Sequence, residues 1–242
     1  MFAGGCRPMR RTVVALCCFV AVMLTGCTRT PPAYESKYAP PTAEDPGIPV
    51  AIIGDSYTGG TPVGGRGGKS WPQVVKRTLD SEGVSINPIV EFEGGSGYVS
   101  RRDVNGRVFI DQVARIVNPA VKAVVIFGSR NDVNIPGPEL ARWVQRTMDL
   151  AVKKAPGVPL IIIGPPWVDA NPPAGVLQAR DIVRAGAIAH QAVWVDPIAD
   201  GWFVGRPDLN GDGIQPNDGG HAYMAERIAP VLASALRPKP VS

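Results

Sequence analysis

A serine, a glycine and an asparagine stand out in this sequence because together they can perform acyl transfer. Ser56 follows Gly54-Asp55 at the end of an apolar run, where a tight turn exposes a hydroxyl and directs backbone N–H groups inward. Gly97 has no side chain and can offer a further N–H group, and Asn131 can offer its carboxamide. Attack by a hydroxyl needs donors of this kind around the developing oxyanion. We therefore expect Ser56 to act as a nucleophile beside these donors.

The proton of that hydroxyl needs a base, and His221 is one of only two histidines in the chain. The other, His190, ends a predicted helix away from these motifs and is interpreted as structural. Asp218 lies three residues before His221, and residues three apart on a helix are neighbours. Asn217 or Asp218 is predicted to cap this helix, whose N-terminus would keep the imidazole neutral. The spacing thus predicts an Asp218–His221 pair.

Other side chains near the same loops are weaker candidates for substrate binding. Flat aromatic faces often bind sugars, although packing at the rim of a site is the commoner role for such residues. Arg130 can pair with an anionic group of a substrate or face solvent. The candidates are Trp71, Trp167, Trp202 and Arg130.

Two familiar motifs are excluded by their spacing. Gly68-Lys69-Ser70 resembles the end of a phosphate-binding loop, but Val63 occupies the position where that motif needs glycine. The segment 208–213 resembles the start of a calcium loop, but Gly219 stands where the bidentate glutamate belongs. We therefore expect no metal and no bound nucleotide.

The elements that must position these residues alternate between strands and helices. Apolar runs predict strands at 50–53, 86–92, 123–127, 160–163 and 193–195. Helical spacing predicts helices from residue 71 and over 108–117, 138–154, 174–189 and 220–236. Apolar strands that alternate with helices indicate a parallel sheet covered on both faces. Sites in such sheets form at the carboxyl ends of the strands, where all the polar loops named above fall.

Three of these loops resemble the first three blocks of the SGNH/GDSL hydrolase family: Gly54-Asp55-Ser56-Tyr57, Ser96-Gly97 and Asn131-Asp132. The resemblance extends from about residue 49 to residue 236. It implies a three-layer α/β/α, flavodoxin-like sandwich with a five-stranded parallel sheet, and ester hydrolysis without a cofactor. It also implies that Ser56 is the nucleophile, with an oxyanion hole made by its own N–H, the Gly97 N–H and the Asn131 side chain.

The sequence departs from the family in the last block, which is usually Asp-x-x-His. Asp212 is present, but Gln215 stands where the histidine belongs, and Gln cannot take a proton at neutral pH. Three alternatives remain: His221 replaces the missing base, the site is catalytically silent, or Asp212 acts through a water molecule. Separately from the choice of base, three functions are open: an esterase, a silent domain that binds an acylated glycan, and an acyltransferase that uses the same serine.

The first 26 residues are interpreted as a signal peptide. Three arginines precede an uncharged run at 13–24, which is too short to span a membrane. Leu24-Thr25-Gly26-Cys27 then resembles the bacterial lipobox, which implies that Cys27 carries lipid. The alternative is an ordinary signal peptide with an incidental cysteine. Either interpretation predicts export, and the first predicts anchoring to the outer face of the bacterial cell membrane.

Composition and charge narrow the remaining possibilities. Residues 27–48 are rich in proline and read as a tether, so residues 49–242 form the single predicted domain. The net charge of +4 falls to +1 once the signal peptide is removed, which argues against nucleic-acid binding. All four cysteines lie within the first 27 residues, which excludes a disulfide framework in the domain. The expected substrates are acyl esters, including O-acetyl esters, of envelope glycans or lipids.

Overall fold

The fold is built on a parallel sheet, seen in a computed structural model that describes residues 47–237. Its strands are β1 (Ile48–Gly54), β2 (Ile86–Phe92), β3 (Ala123–Phe127), β4 (Leu160–Ile163) and β5 (Val193–Val195). The strand order is β2-β1-β3-β4-β5, and every neighbouring pair is parallel. Because the order reverses at β1, the loops after β1 and β3 diverge at this point of the sheet edge and leave room for a site.

Within the described part of the chain, six helices connect or cover these strands. They are α1 (Ser56–Gly59), α2 (Trp71–Ser81), α3 (Phe109–Ile116), α4 (Gly137–Lys154), α5 (Ala174–Ala189) and α6 (Asp218–Leu236). Short 3-10 turns lie at Gly67–Lys69, Arg130–Asp132 and Pro207–Leu209. None of the helices among residues 47–237 is long and apolar enough to cross a membrane.

Two apolar clusters, one on each face of the sheet, explain why these residues form three layers. Alternate residues of β1 and β3 enter different clusters, since side chains of a strand point to opposite faces. One cluster includes α2 and α6, and the other includes α3, α4 and α5. The predicted three-layer α/β/α fold is confirmed.

The predicted helix and strand positions are also confirmed, with small shifts at the ends. β1 begins at Ile48 rather than residue 50 because Ile48 and Pro49 already pair with β2. α6 begins at Asp218 because Asn217 caps it: its Oδ1 accepts a hydrogen bond of 3.0 Å from the Gly220 N–H.

Candidate active site

Ser56 opens a four-residue helix directly after β1. Asp55 caps this helix, because its Oδ1 accepts a hydrogen bond of 2.9 Å from the Tyr57 N–H. Ser56 is half-buried, and within residues 47–237 neither its hydroxyl nor its N–H has a hydrogen-bond partner. A Cβ built on Gly94 would lie 3.9 Å from the Ser56 Cβ, so the loop after β2 adjoins the serine. The structure thus presents a free hydroxyl and a free N–H at one point of the sheet edge.

A hydrogen-bond network centred on Asp55, which directly precedes Ser56, joins the loops after β1, β2 and β3. The Asn131 Nδ2 donates to Asp55 Oδ2 at 2.9 Å and to the Ser96 carbonyl at 2.7 Å. The Ser129 Oγ donates to the same carbonyl at 3.0 Å and lies 3.3 Å from Asp55 Oδ2. Burial raises the pKa of Asp55 to about 6 against the opposing effects of the Tyr57 N–H, of the Arg130 charge and of the Ser129 hydroxyl. Both amide hydrogens of Asn131 are therefore engaged inside the protein, which differs from the free donor expected from the sequence.

Gly97 also differs from its expected arrangement, because the structure buries it. Its N–H donates to the Ser100 carbonyl at 2.8 Å. The cause is the buried Asp132 carboxylate, which accepts hydrogen bonds from the N–H groups of Tyr98, Val99 and Ser100 at 2.8–3.1 Å. A Cβ on Gly97 would lie 2.4 Å from Asp132 Oδ2, so this close approach requires glycine. The expectation of a free Gly97 N–H facing the substrate is wrong in this structure.

The loop that carries Asp212 and Gln215 is tied to the serine helix. The Tyr57 hydroxyl donates a hydrogen bond to the Ile214 carbonyl. Asp212 Oδ1 accepts from the Ile214 N–H at 2.9 Å and from the Gln215 N–H at 2.6 Å. These two bonds, with a smaller effect of Arg130, lower the pKa of Asp212. The Gln215 Oε1 is buried and has no hydrogen-bond partner among the described residues.

The predicted Asp218–His221 pair is wrong. Asp218 Oδ1 accepts from the Gly65 N–H at 2.9 Å, and its Oδ2 pairs with Lys69 Nζ at 2.5 Å. The His221 ring is completely buried, and its Nδ1 lies 3.3 Å from the Trp71 N–H, from which it accepts a hydrogen bond. A Cβ on Gly65 would lie 1.9 Å from His221 Nε2, so the loop packs directly over the ring.

Burial has a clear electrostatic effect on His221. It lowers the pKa of the imidazole to about 4, although Asp218 acts in the opposite direction. No hydrogen bond within residues 47–237 joins His221 to Ser56. The geometry therefore gives His221 a packing role between α6, α2 and the loop before α2, rather than the role of a base.

Two of the three tryptophans that were candidates for substrate binding are buried in the core instead. Trp71 is fully buried and Trp202 is 2% exposed. Both rings pack against Phe127, with centroid distances of 6.0 and 6.3 Å. Both belong to the apolar core on one face of the sheet. Trp71 is the first residue of α2, and Trp202 lies in the segment that follows β5. Trp167 alone of the three stays partly exposed, and it lies beside Arg130.

The structure adds supporting residues that the sequence reasoning missed. Gln112 is fully buried on α3, where its Oε1 accepts from the Gly54 N–H at 3.2 Å and its Nε2 donates to Ser96 Oγ at 3.0 Å. Asp55 and Asp132 also support the site. Both belong to the sequence motifs, but the sequence did not show that they are buried. Among the described residues, no group of three or more His, Cys, Asp or Glu side chains is arranged to hold a metal ion.

Comparison with known proteins agrees with this geometry. The model of the GDSL-like lipase/acylhydrolase family matches residues 52–223. A GDSL lipase of Mycobacterium tuberculosis is 46% identical over 218 residues, which cover 88% of this chain and 94% of the relative.

Solved structures resemble the fold at lower identity. A lipase/acylhydrolase from Enterococcus faecalis has a TM-score of 0.61 at 19% identity, and the match covers 80% of this chain and all of that one. A carbohydrate esterase family 2 enzyme from Corynascus thermopiles has a TM-score of 0.63 at 19% identity, and the match covers 81% of this chain and 69% of that one. With the matching family model and the close relative, these findings show that the chain belongs to the GDSL-like lipase/acylhydrolase family and is an ester hydrolase of the GDSL/SGNH type.

Proposed function

We propose that the protein is an exported, lipid-anchored serine esterase that hydrolyses acyl esters of cell-envelope lipids or glycans. The free hydroxyl of Ser56 at the start of α1 is the observation that carries the serine chemistry. The name lipase given to the M. tuberculosis relative supports an acyl-ester substrate. The lipobox-like sequence that ends at Cys27 supports the anchor, and these residues lie outside the described part of the chain.

In the proposed reaction, the Ser56 Oγ attacks the carbonyl carbon of the ester. The alcohol leaves with a proton, and water then releases the acid from the acyl-serine. The Ser56 N–H is the first oxyanion donor because no group within residues 47–237 accepts a hydrogen bond from it. Asn131 becomes the second donor by sharing the hydrogen that it gives to Asp55. Gly97 stabilises the loop around the site but donates elsewhere.

The base in this proposal is Asp212, acting through a water molecule. Its loop is attached to α1 through the Tyr57 hydroxyl, and its Oδ2 makes no hydrogen bond among the described residues. A carboxylate with a lowered pKa is a weak base, so we expect slow hydrolysis. Gln215 supplies no proton transfer.

The second candidate is a silent domain that binds an acylated glycan. The engaged donors of Gly97 and Asn131 and the presence of Gln215 favour it. An acyltransferase would use the same Ser56 but deliver the acyl group to an alcohol instead of water.

A fluorophosphonate probe and a 4-nitrophenyl ester, applied to the full chain in detergent, distinguish these functions. We expect labelling and slow hydrolysis, both lost in Ser56→Ala. Ser81→Ala changes an exposed serine at the end of α2 and should leave both intact. Gln215→His should raise turnover at least tenfold, because a positioned base contributes about 10²–10⁴.

Three outcomes would contradict the esterase. A protein that neither reacts with the probe nor gains activity with Gln215→His is a binding domain. Hydrolysis that survives Ser56→Ala assigns the reaction to another group. Accumulation of a transfer product in the presence of an added alcohol, in place of free acid, would identify the acyltransferase.

A further inference from the structure

The Arg130 side chain lies between two aromatic rings beside the serine helix. Its Cζ is 5.5 Å from the centroid of the Tyr57 ring and 5.7 Å from that of Trp167. A guanidinium at this distance from an aromatic face is held by cation–π attraction. Arg130 is half-buried, so the stack fixes its direction while part of the group remains open to solvent.

The positive charge of Arg130 has no carboxylate partner among residues 47–237. Another arginine shows the usual alternative: Arg206 stacks on Tyr223 at 5.3 Å and also binds both carboxylate oxygens of Asp208 at 2.9–3.0 Å. No ion pair of this kind is formed by Arg130 in the described part of the chain. A guanidinium that is held in place and forms no ion pair with a carboxylate of the protein is suited to bind the anionic group of a ligand.

The chain connects this charge to the proposed reaction centre at two points. Tyr57, which supports one face of the guanidinium, directly follows Ser56. Asn131, which directly follows Arg130, donates to Asp55, the residue directly before Ser56. The charge of Arg130 also limits the rise in the pKa of Asp55 and helps to lower the pKa of Asp212, so it acts on the same site.

We propose that Arg130, held by Tyr57 and Trp167, forms an anion subsite that selects ester substrates with a carboxylate or phosphate group near the scissile bond. This inference rests on the proposed esterase function and names its substrate class. A substrate anion would bind the open edge of the guanidinium while its ester reaches Ser56. Arg130 thus determines specificity and takes no part in bond breaking.

The test compares matched neutral and anionic esters. The carboxylate pair is 4-nitrophenyl butyrate and mono-4-nitrophenyl succinate, and the phosphate pair is a monoacylglycerol and the acylglycerol 3-phosphate of equal chain length. We expect the wild type to favour the anionic member of at least one pair by about tenfold or more in kcat/KM, mostly through KM, because charge-assisted hydrogen bonds have this size. The pair that shows the preference identifies the anion.

Arg130→Gln should abolish this preference, and Arg130→Lys should restore part of it because the charge remains. Arg146→Gln is the matched control, since Arg146 stacks on Trp143 at 5.1 Å on an exposed face of α4. A purely structural role of Arg130 would lower kcat for both members of a pair equally, and this result would overturn the subsite. Equal kcat/KM values for both members in the wild type would overturn it as well.

A binding measurement separates failure of the subsite from failure of the esterase. Ser56→Ala protein is titrated by calorimetry with the N-aryl succinamate and butyramide analogues, and with the monoacylglycerol and its phosphate. Tighter binding of an anionic ligand that is lost in the Ser56→Ala, Arg130→Gln double variant supports the subsite even if no ester is hydrolysed. Equal binding of neutral and anionic ligands overturns it, whatever the esterase assay shows.

Discussion

Replacing His221 tests whether the buried imidazole stabilises the fold or accepts protons in catalysis. In His221→Phe the Trp71 N–H loses its acceptor, and an unpaired buried donor costs about 1–3 kcal/mol. His221→Gln keeps an acceptor oxygen and should lose less of this stability. At pH 7.5 we therefore expect a free energy of unfolding that decreases in the order wild type, Gln variant, Phe variant.

The pH dependence provides a second magnitude. Burial lowers the pKa of His221 from 6.5 to about 4, so the unfolded chain binds the proton more tightly than the folded one. The wild type must then lose stability as the pH falls from 6.5 to 4, by up to about 3 kcal/mol. Both variants lack this group, so the stability of the wild type relative to each variant should fall by about that amount between pH 7.5 and pH 4, which closes or reverses the gap expected at pH 7.5.

Another buried group titrates in the same range with the opposite sign. Burial raises the pKa of Asp55 from 3.8 to about 6, so its contribution to stability is lost as the pH rises through 6. All three proteins contain Asp55, and its effect cancels in the differences between them. Only differences at the same pH are therefore informative.

Urea unfolding followed by tryptophan fluorescence at several pH values measures these differences, and hydrolysis of 4-nitrophenyl butyrate at pH 7.5 measures catalysis. We expect the folded His221→Gln protein to keep its activity within a few-fold. A stability gap that does not change with pH would refute the account of the buried imidazole. A folded Gln variant that loses several orders of magnitude in activity would instead make His221 the base.

Two further changes test other parts of the molecule. Asp132→Asn should lower the free energy of unfolding by about 1–3 kcal/mol and reduce ester hydrolysis, because one amide oxygen cannot accept all three N–H groups of residues 98–100; an unchanged urea midpoint would contradict this anchoring role. Cys27→Ala should move the protein from the detergent phase to the aqueous phase or leave its leader uncleaved, because stable anchoring needs acyl chains; unchanged partition in Triton X-114 would contradict the lipid anchor.

The strands could be predicted closely from the sequence because burial on both faces leaves an unmistakable pattern. β3 and β4 consist entirely of buried apolar residues, and both begin and end at the residues predicted from the sequence. The position of the site followed from the same reasoning, since polar loops after parallel strands meet at one edge. What the pattern did not predict was the short helix at Ser56, which depends on the Asp55 cap rather than on periodicity.

The directions and partners of individual side chains could not be predicted from the sequence. His221 and Trp71 are 150 positions apart, and their hydrogen bond forms only because α2 packs beside α6. The closure of the loop at Gly65 over the imidazole depends on the same packing. Spacing along one helix suggested an Asp218–His221 pair, but Lys69 and the Gly65 N–H compete successfully for the carboxylate.

The change at Gln215 can be separated physically from the rest of the site. The first three blocks hold one another through Asp55, Asn131 and Ser96, and none of these bonds involves the fourth block. That block is joined to the serine helix by the Tyr57 hydroxyl and a main-chain carbonyl, which no side chain at position 215 supplies. Loss of the family histidine therefore removes a proton acceptor without disturbing the nucleophile. For the same reason, Gln215→His measures catalysis with little effect on the fold, and a gain in turnover there would show that the other three blocks are ready for reaction.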